Sequence, residues 1–292
     1  MKGNRLIAWL TIFIILLAAL ASAWGIFSSE GAGPHPYKTV SGEIIDLYGK
    51  GLYKHDSVSG AEQEIAQDIV TLVLGIPLLI VSLFLSNKGL LKGRLLLAGT
   101  LGYFLYTYAS YSFLSAYNPF FLIYVLLMST SFFAFTLILT SFNTNALAAR
   151  FKETMPVRFL GGVLIFLGIA IGLMWFGRIV PSLTRKVVPV GLDHYTTLVI
   201  QALDLGFVVP IGIVAGWMLL KRRPAGYLLG PIIIIKVLTL STAVTAMAVR
   251  MFLAGVTTSL AETGIFAVIT LLIAFCLYLV LYNVKEVEGD FV

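Results

Sequence analysis

The sequence predicts an all-α, polytopic membrane protein that forms a single membrane domain over residues 1–292, with about eight transmembrane helices. Composition is the first reason: 59% of the residues are apolar and 12% are charged, whereas a soluble domain has about 45–50% and about 25%. The second reason is a mean hydropathy of +0.97. The third is a series of long charge-free intervals, each able to supply the roughly 20 apolar residues that one crossing needs.

The boundaries of the predicted spans follow from these intervals and from turn signals. Residues 95–149 are too many for one crossing, and Tyr117-Asn118-Pro119 near their middle predicts a tight turn between two helices. The first span has a competing interpretation as a cleaved signal peptide, since residues 21–23 resemble a signal-peptidase site. Its apolar run is longer than that of an ordinary signal peptide, which favours a retained helix. The predicted spans are residues 6–27, 66–86, 95–116, 119–141, 158–180, 195–220, 226–250 and 263–283.

Residues 28–65 form the longest polar segment and are rich in glycine and proline. The segment is too short to bury a core of its own. We therefore expect an extracytoplasmic loop that folds over the outer mouth of the helices.

The distribution of lysine and arginine predicts the orientation. With residue 1 inside, the inner segments hold twelve Lys and Arg residues and the outer segments hold seven. Because positive loops are retained in the cytoplasm, we expect both termini to be cytoplasmic and the protein to be integral to the plasma membrane. The net charge of +6 is then a topology signal that also suits anionic lipid headgroups. The predicted partners are the lipid bilayer and a small solute or ion, and not nucleic acid.

The two halves of the chain align at a shift of 133 residues without a gap. The aligned pairs are Pro77 with Pro210, Lys88 with Lys221, Gly93 with Gly226, Asp68 with Gln201 and Tyr103 with Lys236. This pattern predicts two parallel four-helix repeats, residues 1–145 and 155–285, related by an axis along the membrane normal. Chance recurrence is the alternative, because prolines and loop residues recur in any series of helical hairpins.

Ionisable residues inside apolar helices mark the candidate site, since such residues are costly at that depth. Asp204 and Lys236 lie in the sixth and seventh predicted spans, about 10 Å apart in height at 1.5 Å per residue. Polar residues collect in the outer halves of the neighbouring spans and predict a cavity that opens outward. The predicted ligand-binding residues are Asp204, Lys236, Gln201, Asp68, Tyr103, Tyr106 and Thr239.

Two structural alternatives compete with this site. Asp204 and Lys236 would serve equally well as a structural ion pair that fixes helix register. Serine and threonine hydroxyls commonly bond back to their own helix, and tyrosines commonly lie in the interfacial belt of a membrane protein.

Three function classes fit the sequence. The first is a carrier or ligand-binding protein in which Asp204 binds a cation or proton and Lys236 neutralises it or holds an anionic group. The second is an outer-leaflet membrane enzyme with a metal, for which the weak candidate ligands are His55, Asp56, Asp193 and His194. The third is a structural or assembly protein. Because no nucleophile, haem or nucleotide motif is visible, the sequence assigns no catalytic residue and no cofactor.

Overall fold

A computed structural model describes residues 2–185, 187–256 and 259–286 as a helical bundle with a small two-stranded sheet. The α-helices are α1 (Lys2–Phe27), α2 (Val58–Val70), α3 (Ile76–Asn87), α4 (Leu91–Leu114), α5 (Phe121–Thr140), α6 (Thr144–Leu147), α7 (Val157–Arg185), α8 (Val199–Leu203), α9 (Val209–Leu220), α10 (Pro224–Leu253) and α11 (Leu260–Asn283). The strands are β1 (His35–Lys38) and β2 (Ile44–Leu47), which pair antiparallel. The helical class predicted from the sequence is confirmed.

Seven helical segments in the described part of the chain are long and apolar enough to cross a membrane. They are Arg5–Phe27, Val58–Asn87, Phe121–Thr140, Val157–Arg185, Val199–Leu220, Pro224–Leu253 and Leu260–Asn283. The chain is therefore a multi-pass membrane protein. Helix α4 is 24 residues long but carries many tyrosine, serine, threonine and glycine residues, so an eighth crossing by α4 stays a prediction.

Helix α2 begins at Val58, so the segment predicted as loop 28–65 ends eight residues earlier than expected. Ser57 caps the helix, because its side chain accepts a hydrogen bond from the Gly60 amide at 3.0 Å. The polar first turns of α2 resemble a loop in the sequence. In the structure they are buried, and both Glu64 and Asp68 point into the bundle.

The centre of the bundle is the crossing of α4 with α10, where Gly99 lies directly against Ile235. Helix α2 packs on α10, and α8 packs on α4. Helix α7 covers α9, while α1 packs against α3 and α5. Fully buried leucine and isoleucine side chains, including Leu97 and Ile234, fill the space around the crossing. The polar residues of α2, α4 and α10 thus meet inside the bundle.

Two π-helical turns occur at equivalent places in the two halves of the chain. In each, an amide bonds to a carbonyl five residues earlier, Ile76 to Thr71 and Val209 to Asp204. The pairs of elements that match at a shift of 133 residues are the π turns Thr71–Gly75 and Asp204–Val208, helices α3 and α9, and the first residues of α4 and α10. This match supports the two-repeat hypothesis, which stays a prediction.

The two ends of the bundle are held by different contacts. At one end, which we call the loop face because it carries residues 28–57, Arg250 forms an ion pair with Glu62 at 2.6 Å. At the opposite end, the Glu286 carboxylate accepts hydrogen bonds from the Leu91 and Lys92 amides at 2.8 and 2.9 Å. The loop face is the predicted outer face, and this orientation stays a prediction.

Candidate functional site

Asp204 is the first residue of the second π turn and is 9% exposed. Its carboxylate is held by two other helices. The Tyr106 hydroxyl of α4 donates to Oδ1 at 2.7 Å, and the Trp175 indole N–H of α7 donates to Oδ2 at 2.9 Å. Donors from two different helices thus fix the orientation of the Asp204 carboxyl group.

Lys236 lies on α10 and is 8% exposed. Its Nζ stands 4.1 Å from the centroid of the Tyr106 ring, which is the geometry of a cation–π contact. Among the residues that the structure describes, no side chain or backbone atom hydrogen bonds to this amine. Tyr106 therefore separates the two charges, with its hydroxyl on Asp204 and its ring under Lys236.

The structure sorts the seven predicted ligand-binding residues into two groups. The first group is Asp204, Tyr106, Lys236 and Gln201 around the second π turn, with Thr239 three residues after Lys236 on α10, and the second group is Asp68 on α2 and Tyr103 on α4. Thr239 is buried and donates to the Lys236 carbonyl at 2.9 Å, as the structural alternative expects. Gln201 is half-buried one turn before Asp204.

The second group belongs to a buried network of tyrosines. Asp68 accepts a hydrogen bond from Tyr53 at 2.5 Å and one from Tyr111 at 3.3 Å. Tyr103 contacts the Gln67 amide nitrogen at 2.7 Å and the Thr71 hydroxyl at 2.9 Å. These groups are satisfied within the protein, so the second group stabilises the packing of α2 on α4.

A further pair of carboxyl groups lies at the loop face. Asp56 Oδ1 accepts hydrogen bonds from the Ala116 amide at 2.8 Å and from the Tyr195 hydroxyl at 2.9 Å. Glu64 Oε1 accepts one from Ser115. The second oxygens, Asp56 Oδ2 and Glu64 Oε2, are buried without a donor among the described residues, and the two carboxyl groups hydrogen bond once one of them is protonated.

The buried pair of Asp56 and Glu64 predicts that the stability of the protein falls as the pH rises. Burial raises the pKa of Asp56 from its ordinary 3.8 to about 6, against the opposing hydrogen bonds from Ala116, Tyr195 and Glu64. Between these values the folded chain holds a proton that the unfolded chain has lost. The contribution, up to about 3 kcal/mol, is therefore complete below about pH 4 and disappears as the pH rises to about 6.

Asp56→Asn is expected to remove this pH dependence, because the amide keeps the acceptor oxygen and supplies a permanent N–H to Glu64. Thermal unfolding between pH 4 and 8 measures the effect. The titratable groups that face the pair are Tyr195, Asp68, Tyr53, Tyr111 and Tyr124. Asp46→Asn removes an exposed carboxyl group of β2 and serves as the control, while an equal pH slope in the wild type and Asp56→Asn would contradict the assignment.

The four candidate metal ligands lie near one another at the loop face but do not form a metal-binding set. Asp193 accepts a hydrogen bond from Ser57 at 2.6 Å, and the His194 ring contacts the His55 carbonyl at 2.9 Å. Asp56 is turned inward to Ala116 and Tyr195. Over residues 2–185, 187–256 and 259–286, no three His, Cys, Asp or Glu side chains are placed to hold a metal ion.

Three residues of these sites were not identified as site residues from the sequence: Trp175, Glu64 and Tyr195. A tryptophan inside an apolar span was the available signal for Trp175, since a buried indole N–H needs an acceptor. Glu64 was assigned to the loop, and Tyr195 to the start of a span. Their partners are 29, 51 and 139 residues away in the chain, and nothing in the local pattern identifies those partners.

The predicted outward-opening cavity is closed at the level of Asp204 and Lys236, which are both more than nine-tenths buried. A cavity of about 550 Å³ lies at the opposite end of the bundle. Its lining residues are Met155, Pro156, Val157, Arg158, Leu220, Lys221 and Arg222. In the structure, the candidate site is therefore closed to the loop face.

Chemically, the first group offers a buried amine with free N–H donors and a carboxylate whose remaining lone pairs accept further hydrogen bonds. An anionic group fits the amine, and a cation or proton fits the carboxylate. Comparison with known proteins adds no family to this description, because no family model, curated protein or solved structure matches the chain.

Proposed function

We propose that this membrane protein is a carrier or ligand-binding protein for a small solute or ion, and that Asp204, Tyr106 and Lys236 form its binding site. The observation that carries the proposal is the Lys236 amine, which is buried without a hydrogen-bond partner among the described residues. A buried ammonium group that lacks hydrogen bonds is strongly destabilising. A ligand with an acceptor oxygen removes this cost when it binds.

The equivalent positions in the first half of the chain support this interpretation. At a shift of 133 residues, Asp204 corresponds to Thr71 and Lys236 corresponds to Tyr103. Thr71 and Tyr103 hydrogen bond to each other at 2.9 Å and leave no charge unpaired. Of these two equivalent sites, only the one in the second half holds opposite charges separated by Tyr106. This difference is expected if the second site binds a ligand and the first has a structural role.

Thermal stabilisation by solutes tests the proposal. We expect at least one compound from a panel of inorganic phosphate, short carboxylates and amino acids to raise the melting temperature of the wild type. A ligand at 100 times its Kd stabilises by about 2.7 kcal/mol. For the compound that stabilises the wild type most, Asp204→Asn and Lys236→Met should each reduce the rise, because each removes one charge of the site.

Lys88→Met is the matched control, since Lys88 is exposed and its amine lies over Phe84 far from the site. Equal stabilisation of the wild type, Asp204→Asn and Lys236→Met by the same solutes would contradict the proposed site.

A further inference from the structure

The charge balance of the site restricts which solutes it accepts. Asp204 supplies one negative charge and Lys236 one positive charge, and both are buried. Arg178 stacks on the Trp175 ring, with its guanidinium carbon 5.4 Å from the ring centroid, and is exposed. The buried part of the site is therefore electrically neutral before any solute enters.

Both charged groups retain unused hydrogen-bonding capacity. Lys236 has three N–H donors, and none of them reaches an acceptor in the described part of the chain. Each Asp204 oxygen receives one hydrogen bond, from Tyr106 or from Trp175, and can accept another. The site thus presents one donor group, the Lys236 amine, and one acceptor group, the Asp204 carboxylate. Both groups contact the Tyr106 side chain.

We infer that the solute is a small zwitterion, whose anionic group binds the Lys236 amine and whose cationic group binds the Asp204 carboxylate. This inference rests on the proposed function. A solute with a net charge would leave that charge uncompensated among buried groups, where charges are poorly solvated. A zwitterion satisfies both protein groups and leaves the site neutral, so both of its charges are paired.

Matched series of solutes test the inference by melting temperature and by titration calorimetry. The zwitterions are glycine, β-alanine and 4-aminobutyrate, which increase the separation between amine and carboxylate. Acetate, propionate and butyrate keep the anionic group alone, and the corresponding alkylamines keep the cationic group alone. We expect one zwitterion to bind the wild type at least tenfold more tightly than either of its singly charged analogues.

Single substitutions should change this preference in opposite directions. Lys236→Met leaves a net negative site and should favour the amine over the zwitterion. Asp204→Asn leaves a net positive site and should favour the carboxylate. Lys88→Met, outside the site, should keep the wild-type preference for the zwitterion.

The possible failures are distinct. If a carboxylate or an amine binds the wild type as tightly as the zwitterion, and binding is lost in the site variants, the zwitterion inference is wrong and the proposed binding site stands. If no member of the three series stabilises the wild type or is bound by it, the inference is overturned for these solutes. Thermal stabilisation by inorganic phosphate, which belongs to the panel described above, then tests the proposed binding site separately.

Discussion

A Gly99→Leu substitution is expected to abolish the stable packing of the bundle. A Cβ atom at Gly99 would overlap the Ile235 side chain and lie 2.9 Å from the Ile232 carbonyl oxygen. Overpacking of a filled core costs about 1–3 kcal/mol and more where the backbone cannot move, and here the backbones of α4 and α10 are themselves in contact. The yield of monodisperse protein on size exclusion and its melting temperature measure the loss.

Gly162→Leu on α7 provides the matched control. A Cβ atom at Gly162 would meet no other atom within 4 Å, and leucine favours helix over glycine by about 1 kcal/mol. The control should therefore melt at or above the wild-type temperature. A Gly99→Leu protein that melts with the wild type would show that α4 and α10 do not cross at this residue.

Asp68→Leu is the second substitution with a large expected effect. It removes the acceptor of the Tyr53 hydroxyl group, which is buried beside the Tyr111 ring. The Tyr111 hydroxyl keeps the Glu64 carbonyl oxygen as its acceptor at 2.8 Å. A buried donor left without a partner costs about 1–3 kcal/mol, so Asp68→Leu should lower stability by about 2 kcal/mol. Thermal unfolding of the purified variant measures the effect.

Two further variants test the cause of this loss. Asp68→Asn keeps an acceptor oxygen and should lie close to the wild type. Combining Asp68→Leu with Tyr53→Phe should recover most of the lost stability, because the Tyr53 hydroxyl group is then no longer left unpaired. If the combined variant is no more stable than Asp68→Leu alone, the hydrogen bonds are not the cause.

The class of the protein was predictable because charge-free apolar intervals of about 20 residues are typical of membrane-spanning helices and rare in soluble domains. The division into helices was predictable where a turn signal interrupts an interval, as at Asn118 and Pro119, which lie between α4 and α5. The start of α2 was not predictable. Glu62 and Glu64 resemble solvated loop residues in sequence, and they are buried only because α10 and Asp56 pack against them.

The candidate site was predictable in its residues and not in its geometry. Helical rise gives the height of Asp204 and Lys236 along their helices, and the predicted offset of about 10 Å allows a direct ion pair only if the Lys236 side chain reaches up or a helix shifts. The sequence does not reveal which side chain fills that offset. Tyr106 fills it, since its hydroxyl group contacts Asp204 and its ring contacts Lys236. Trp175 donates the second hydrogen bond to the Asp204 carboxylate from α7, a helix that the sequence did not assign to the site.

Each π turn contains one residue more than the corresponding α-helical turn, and this extra residue changes the rotational register between the residues before the turn and the helix after it. If the Asp204–Val208 turn relaxed to α-helical geometry, the residues before it would swing by about 100° around the helix axis. The helix after Pro210 would not need to move. Such a one-residue slip would detach the carboxylate from its tyrosine and tryptophan donors and turn Gln201 to a new direction, without breaking the bundle.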